Sequence, residues 1–167
     1  MRGALQKHFS TILELHDDAH ADGGDILVTA ENVFIGLSKR TNRAGANALQ
    51  SRLEQLGRKA SIVETPPDIL HFKTASSLLR EDAILATKTL ADSGVFAGWN
   101  VLLVAEGEEG AANALRVSDT VFVGDIYPRT AERIAKLGLD VRPLPVSEVA
   151  KLDAGLSCMS LRWHAPD

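Results

Sequence analysis

The chain of 167 residues contains one cysteine, Cys158. A single thiol excludes an internal disulfide framework and suits a reducing, cytoplasmic setting. Long apolar runs are missing too. No segment approaches the roughly 18 uninterrupted apolar residues that a membrane-spanning helix needs. The opening stretch Met1–His8 has no apolar core of the kind a secretory signal carries, so none is expected. Positive charge is sparse and scattered: 18 Lys and Arg stand against 22 Asp and Glu, a net charge of −4. The densest basic cluster, Lys39, Arg40 and Arg43, is too small to track a phosphate backbone, which argues against nucleic-acid and anionic-membrane partners. What is present is globular in proportion, 45% hydrophobic and 24% charged. One domain over residues 1–167 is expected, large enough to bury a real core.

Apolar positions at Leu5, Phe9, Ile12, Leu13 and Leu15 predict an amphipathic helix over residues 4–16. Beyond it a module is written twice. Ile26–Thr29 and Val33–Gly36 read as strands, and residues 41–56 read as a helix that Gly57 ends. Ser61–Glu64 is the next strand, closed by Pro66-Pro67. The wording returns at Ala114–Gly124, where Val121-Phe122-Val123-Gly124 matches Val33-Phe34-Ile35-Gly36. Arg129-Thr130 then matches Arg40-Thr41, Gly138 matches Gly57, and Val141–Leu144 closes the copy. Between the copies, Ile69–Phe72, Ala83–Ala86 and Val101–Ala105 supply the strands of a more divergent unit. The expected fold is α/β, a partial α/β propeller of about three ββαβ units.

Three segments can carry chemistry. Asp22-Gly23-Gly24-Asp25 sets two glycines between carboxylates just before a strand, which suits either an ordinary turn or close approach to a ligand. His71 falls in the alternating run Leu70-His71-Phe72-Lys73-Thr74, read as a strand; it is a hydrogen-bonded structural histidine or a proton carrier. Ser38-Lys39-Arg40-Thr41-Asn42 joins a strand to a helix. It can cap that helix, and Arg40 can present its planar fork to a carboxylate. Cys158, far downstream, is a small buried hydrophobe or a nucleophile assembled by the fold. His16 and His20 are four apart, but no glutamate occupies the catalytic slot between them and no metal site is expected there.

Together these segments resemble the dimethylarginine dimethylaminohydrolase family of the guanidino-group-modifying (pentein) superfamily. The resemblance runs through Asp22–Thr29, Val33–Asn42 with its G-L-S-K-R-T-N signature, Leu70–Thr74, Ala111-Ala112-Asn113, Tyr127–Thr130 and Leu152–Ser160. Lys73, where arginine deiminases and amidinotransferases usually carry Asp, favours the dimethylarginine branch. The resemblance implies Cys158 as nucleophile, His71 as general acid/base and Asp22 as the carboxylate that grips a guanidinium. It implies Arg40 as the partner of a substrate α-carboxylate, with Leu152 and Asp153 lining the pocket through their backbone. The implied substrate is a small arginine-like molecule, and no metal or organic cofactor is required.

The family fold closes a ring of five units, of which about three are legible here. Nothing in Met1–Ala21 resembles the family's acidic F-x-x-D-P-like stretch, and Ala154 stands where a glycine is common. The chain is therefore expected to match the C-terminal part of the family fold, and to work as a homo-oligomer or with a complementary chain. Three functions stay open: hydrolysis of methylated arginines, an inactive arginine-analogue-binding remnant, and a related guanidine-modifying hydrolase or amidinotransferase.

Overall fold

The computed structural model describes residues 2–16, 18–152 and 154–161. It begins with a single helical turn, α1 (Arg2–Leu5). The longer helix expected over residues 4–16 is not formed. Phe9 is 36% and Leu13 50% exposed, so their apolar face is not buried as a helix of this kind requires. Isolated helices of this length are marginal in water without such burial.

From there the chain builds three small sheets of the same design. In the first, β1 (Ile26–Val28) runs antiparallel to β2 (Val33–Leu37), with Ile26 opposite Ile35. Helix α2 (Arg43–Gln55) then crosses over, and β3 (Ala60–Glu64) returns parallel to β2. The second sheet joins β4 (Ser76–Arg80), β5 (Ala83–Ala86), helix α3 (Lys88–Asp92) and β6 (Asn100–Leu103). The third joins β7 (Leu115–Val117), β8 (Thr120–Gly124), helix α4 (Pro128–Ala135) and β9 (Asp140–Leu144). Every unit pairs its first two strands antiparallel and its last two parallel. The three ββαβ units expected from the repeat are therefore present, as a partial propeller of the pentein type. The repeated glycines have a backbone reason: Gly57 and Gly138 follow α2 and α4 with φ of 71° and 78°, a conformation that a side chain disfavours. A further turn, α5 (Ser147–Ala150), leads to the 3₁₀ segment Leu156–Met159.

One strand was misplaced by the sequence pattern. Ile69–Phe72 is not the first strand of the middle unit; β4 is, and His71 instead precedes the 3₁₀ turn Phe72–Thr74. The apolar alternation at Phe72 serves burial rather than pairing. Its ring is fully buried, 6.2 Å from Phe34 and 5.6 Å from Phe96. Strand β4 escaped notice because it opens on two serines, both buried. Ser76 keeps its hydroxyl satisfied by donating to the Phe72 carbonyl at 2.9 Å.

The units share cores, which fixes their arrangement. Leu27 and Phe34 of the first sheet pack with Phe72, Ile84, Leu90 and Phe96 around the second. Leu79 and Leu85 of the second pack with Val121, Val123 and Ile134 of the third. Each fully buried side chain of this size contributes about 1.5–3 kcal/mol.

Helix α4 has an unusual cap. Tyr127, at its N-cap position, makes no capping bond with its side chain. The buried carboxylate of Glu108 does the work from outside, accepting the backbone N–H of Thr130 at 2.7 Å and of Arg129 at 3.2 Å. Burial alone would raise the Glu108 pKa, but the hydrogen bonds from Thr130 and Arg129 outweigh it and hold the carboxyl below its ordinary range. A depressed folded-state pKa contributes stability that is complete above the unfolded value and is lost as pH falls through the folded one. Glu108→Gln should therefore lower the thermal midpoint by about 5 °C at pH 7. Melting curves between pH 7 and pH 3 should show the gap to wild type closing on the acid side.

Candidate active site

The site is organised around a carboxylate that does not itself face solvent. Asp25 is fully buried. Its Oδ2 accepts hydrogen bonds from the hydroxyls of Ser38, at 2.7 Å, and Thr41, at 2.6 Å. Its Oδ1 accepts the backbone N–H of Phe72 at 3.0 Å. Three loops distant in sequence are thereby tied to one side chain, and each carries a predicted functional residue: Asp22, Arg40 and His71.

Asp22 precedes the 3₁₀ turn Gly23–Asp25 and is fixed at both ends. Its Oδ1 accepts from the Gly24 N–H at 2.7 Å, and its own N–H donates to the Thr41 hydroxyl at 2.9 Å. That leaves Oδ2 free to face His71, whose Nε2 lies 3.6 Å away. The separation is long for a hydrogen bond but short enough for an ion pair once the imidazole is protonated. Nε2 is buried and has no hydrogen-bond partner among the described residues. Buried polar atoms are rarely left so, and at a cleft the exception points to a group kept for a ligand. A Cβ on Gly24 would come within 2.9 Å of the imidazole ring, so the glycine lets His71 lie against the turn.

Asp22 and Arg40 line the same open hollow, about 480 Å³ in volume, together with Leu15, His20, Lys39 and Asn42. One wall is the segment Asp18–Asp22, held by the Asn42 side-chain amide and N–H. The Asn42 side-chain amide donates to the Asp18 carbonyl at 2.9 Å, and its N–H donates to the His20 carbonyl at 3.0 Å. Its Oδ1 accepts from the N–H of His20 and of Gly45, the latter capping α2. A Cβ on Gly45 would overlap the His20 carbonyl, so a glycine is needed for the segment to sit this close. The sequence marked Asn42 as a cap; its second duty, and that of Gly45, had no signal of their own.

Cys158 lies on the 3₁₀ segment Leu156–Met159 and is exposed, contrary to the small-buried-hydrophobe reading. Asn113 holds this segment: its Oδ1 accepts the Ser157 N–H at 3.0 Å, and its Nδ2 approaches the Cys158 sulfur at 3.6 Å. A second hollow, about 370 Å³, has Leu70 and Thr74 on one wall and Asn113, Ala154, Gly155 and Leu156 on another. The loops of His71 and Cys158 thus face one another across it. Tyr127 also lines this hollow, and its phenol pKa is raised by burial and by the charge of Glu108. Leu152 is 80% exposed in the turn after α5, its N–H bonded to the Val149 carbonyl. Asp153 lies outside the described residues. Among the described residues, no three His, Cys, Asp or Glu side chains converge as a metal-binding group would.

Three ββαβ units thus carry a carboxylate with a histidine beside it, and a cysteine loop on the wall of a second hollow. Residues 6–97 match the arginine deiminase family. The dimethylarginine dimethylaminohydrolase of Pseudomonas aeruginosa is 37% identical over 142 residues, 85% of this chain and 56% of the relative. The Streptomyces coelicolor enzyme of the same name is 31% identical, over 84% of this chain and 54% of its own length. In structure, a cysteine-to-serine variant of the Pseudomonas aeruginosa protein, complexed with citrulline, superposes with a TM-score of 0.92 at 32% identity. That match covers 97% of this chain and 64% of that one. A cyanobacterial arginine dihydrolase, 19% identical, shares the fold with a TM-score of 0.84 over 99% of this chain and 28% of that one. The chain belongs to the arginine deiminase family and spans about half the length of the curated relatives it matches.

The Asn42 strap gives a direct test. Asn42→Ala removes a helix cap worth about 1 kcal/mol together with two side-chain anchors of the 18–22 segment. A fall of about 3 °C in thermal midpoint is expected. Limited proteolysis should cut the stretch before Asp22 at least fivefold faster than in wild type, read by mass spectrometry of the fragments.

Proposed function

We propose that this chain forms the catalytic part of a hydrolase that converts Nω,Nω-dimethylarginine and water to citrulline and dimethylamine. The observation that carries this reading is the shared hollow of Asp22 and Arg40, with His71 beside Asp22. An anion and a cation in one hollow complement a zwitterionic amino acid with a guanidinium at its far end. The Asp22 carboxylate can take that planar cation through paired hydrogen bonds, while the Arg40 fork suits the α-carboxylate.

In the proposed reaction the Cys158 thiolate forms a bond to the guanidinium carbon. That carbon is a poor electrophile because its charge is delocalised, so a nucleophile better than water is needed. The C–N bond to dimethylamine then breaks, and the leaving nitrogen takes a proton from His71, leaving an S-alkylthiouronium on Cys158. His71 next removes a proton from water, whose oxygen attacks the same carbon. The C–S bond breaks, returning the electron pair to sulfur and releasing citrulline. Leu152 and Asp153 would contribute backbone groups to the pocket, as the resemblance implies.

Cys158→Ser should lower citrulline release by about four decades or more with little change in thermal midpoint. Retention of most of the activity would end the assignment of Cys158 as nucleophile. Arg40→Lys should raise KM strongly for dimethylarginine, since an ammonium cannot reproduce the fork, while having little effect on the α-carboxamide analogue. If Arg40 serves only the loop, the two proteins will bind both compounds alike.

We further propose that residues 1–167 act as one domain, in the cytoplasm, and as part of an assembly. The apolar side chains at Phe9, Leu13 and Val28 stand open to solvent, and β1 and β3 are the outer strands of a three-stranded sheet. Such edges are normally covered. Self-association is the expected cover, with a complementary chain as the other outcome. Light scattering on a size-exclusion column should report a mass above that of one chain; a concentration-independent monomer with full activity would overturn the proposal.

A further inference from the structure

Cys158 is the only sulfhydryl in the chain, and two N–H donors converge on its sulfur. The Gly155 N–H stands 3.5 Å away and the Asn113 side-chain amide 3.6 Å. Both distances are normal for a donor on sulfur, whose radius exceeds that of oxygen. We propose that Asn113 is a positioning residue that seats Cys158 and, with the Gly155 N–H, stabilises its sulfur as the anion.

The orientation of the Asn113 amide is settled by its other end. The Ser157 N–H, a donor only, lies 3.0 Å from Oδ1. An amide turned the other way would set two donors against each other, so the NH₂ group must face the sulfur. Asn113 is itself buried, 8% exposed. It ends the 3₁₀ segment Glu109–Ala112, with its N–H bonded to the Gly110 carbonyl at 3.2 Å. Next to that segment is Glu108, locked to the first turn of α4. The seat is therefore built on the rigid third unit, while the residue it holds is exposed. The fit is close: a Cβ on Gly155 would overlap the Asn113 amide. Donors directed at a sulfur favour the thiolate over the thiol, and the thiolate is the nucleophile.

This inference rests on the reading of Cys158 as nucleophile, yet its test needs no substrate. Alkylation of the folded protein by iodoacetamide at pH 7 reports on Cys158 alone, because no other cysteine is present. Asn113→Asp is the decisive variant. It keeps an acceptor for the Ser157 N–H, and so the backbone tether, but replaces the donor facing sulfur with a carboxylate oxygen. Alkylation should slow by more than tenfold, the scale of one hydrogen bond to a charged group plus a like charge beside it. Asn113→Ala, a second variant in case the first does not fold, should slow it by roughly tenfold. Circular dichroism establishes that each variant is folded. If Asn113 only tethers the loop, the Ala variant will react at the wild-type rate; if it only shields the thiol, the Ala variant will react faster. Either result overturns the proposal. Slowed alkylation in these variants, together with unimpaired turnover by Cys158→Ser, would instead leave the seat intact and refute the proposed function.

Discussion

The buried carboxylate of Asp25 is the interaction on which the site depends. It faces no ligand, and its value lies in what it gathers. A carboxylate withdrawn from water is tolerable only when its lone pairs are satisfied by donors of good geometry. Here those donors are Ser38, Thr41 and the Phe72 N–H, each from a loop that cannot be displaced without stranding a buried charge. The penalty for a misplaced loop is thus several kcal/mol, far above the cost of ordering a surface turn. Asp22 lies three residues from Asp25, and Arg40 and His71 lie within two of its donors, so their mutual geometry follows from one buried constraint.

The third unit repeats the device and puts it to different use. Thr130 matches Thr41 in the repeat, and each threonine meets a buried carboxylate at the start of its helix: Asp25 beside α2, Glu108 beside α4. In the first unit the carboxylate collects loops around the hollow that holds Asp22 and Arg40. In the third it braces the segment that ends at Asn113, which in turn holds the cysteine loop. A buried carboxylate thus builds each of two supports, one beside Asp22 and Arg40 and one for the sulfur. They meet across the hollow between Leu70–Thr74 and Ala154–Leu156.

How much of this was legible depends on the range of the physics involved. The repeat could be read because it is local: Gly57 and Gly138 are required by left-handed backbone, and V-F-[IV]-G by strands buried on both faces. Asp22, His71, Arg40 and Cys158 could be given roles, but not Asn113, which the resemblance only included, or Gly45; their roles exist only once distant backbone arrives beside them. The two local errors share a cause. An amphipathic pattern over residues 4–16 promises a helix only if something lies against its face, and the alternation at Ile69–Phe72 fits an anchored loop as well as a strand. In both places tertiary contacts, present or missing, overrode the periodicity.

The two supports differ in stiffness, and that difference bears on how a site of this kind can work. Asp22 is bonded at its N–H and at Oδ1, and lies on a turn whose next carboxylate is fully buried. Cys158 is itself exposed, on a half-buried segment, and its sulfur is reached by Asn113 and the Gly155 N–H. Positive charge on a guanidinium is recognised by fixed geometry, because paired hydrogen bonds to a planar cation tolerate little misalignment. A sulfur that must first approach and later release the same carbon gains from a shallower restraint, since the covalent intermediate and the free thiolate require different positions. A rigid grip on the cation beside a lightly seated nucleophile is therefore a division of labour that the buried carboxylates make possible. They fix Asp22 and Asn113, and the sulfur proposed to react sits at the exposed end of the second support.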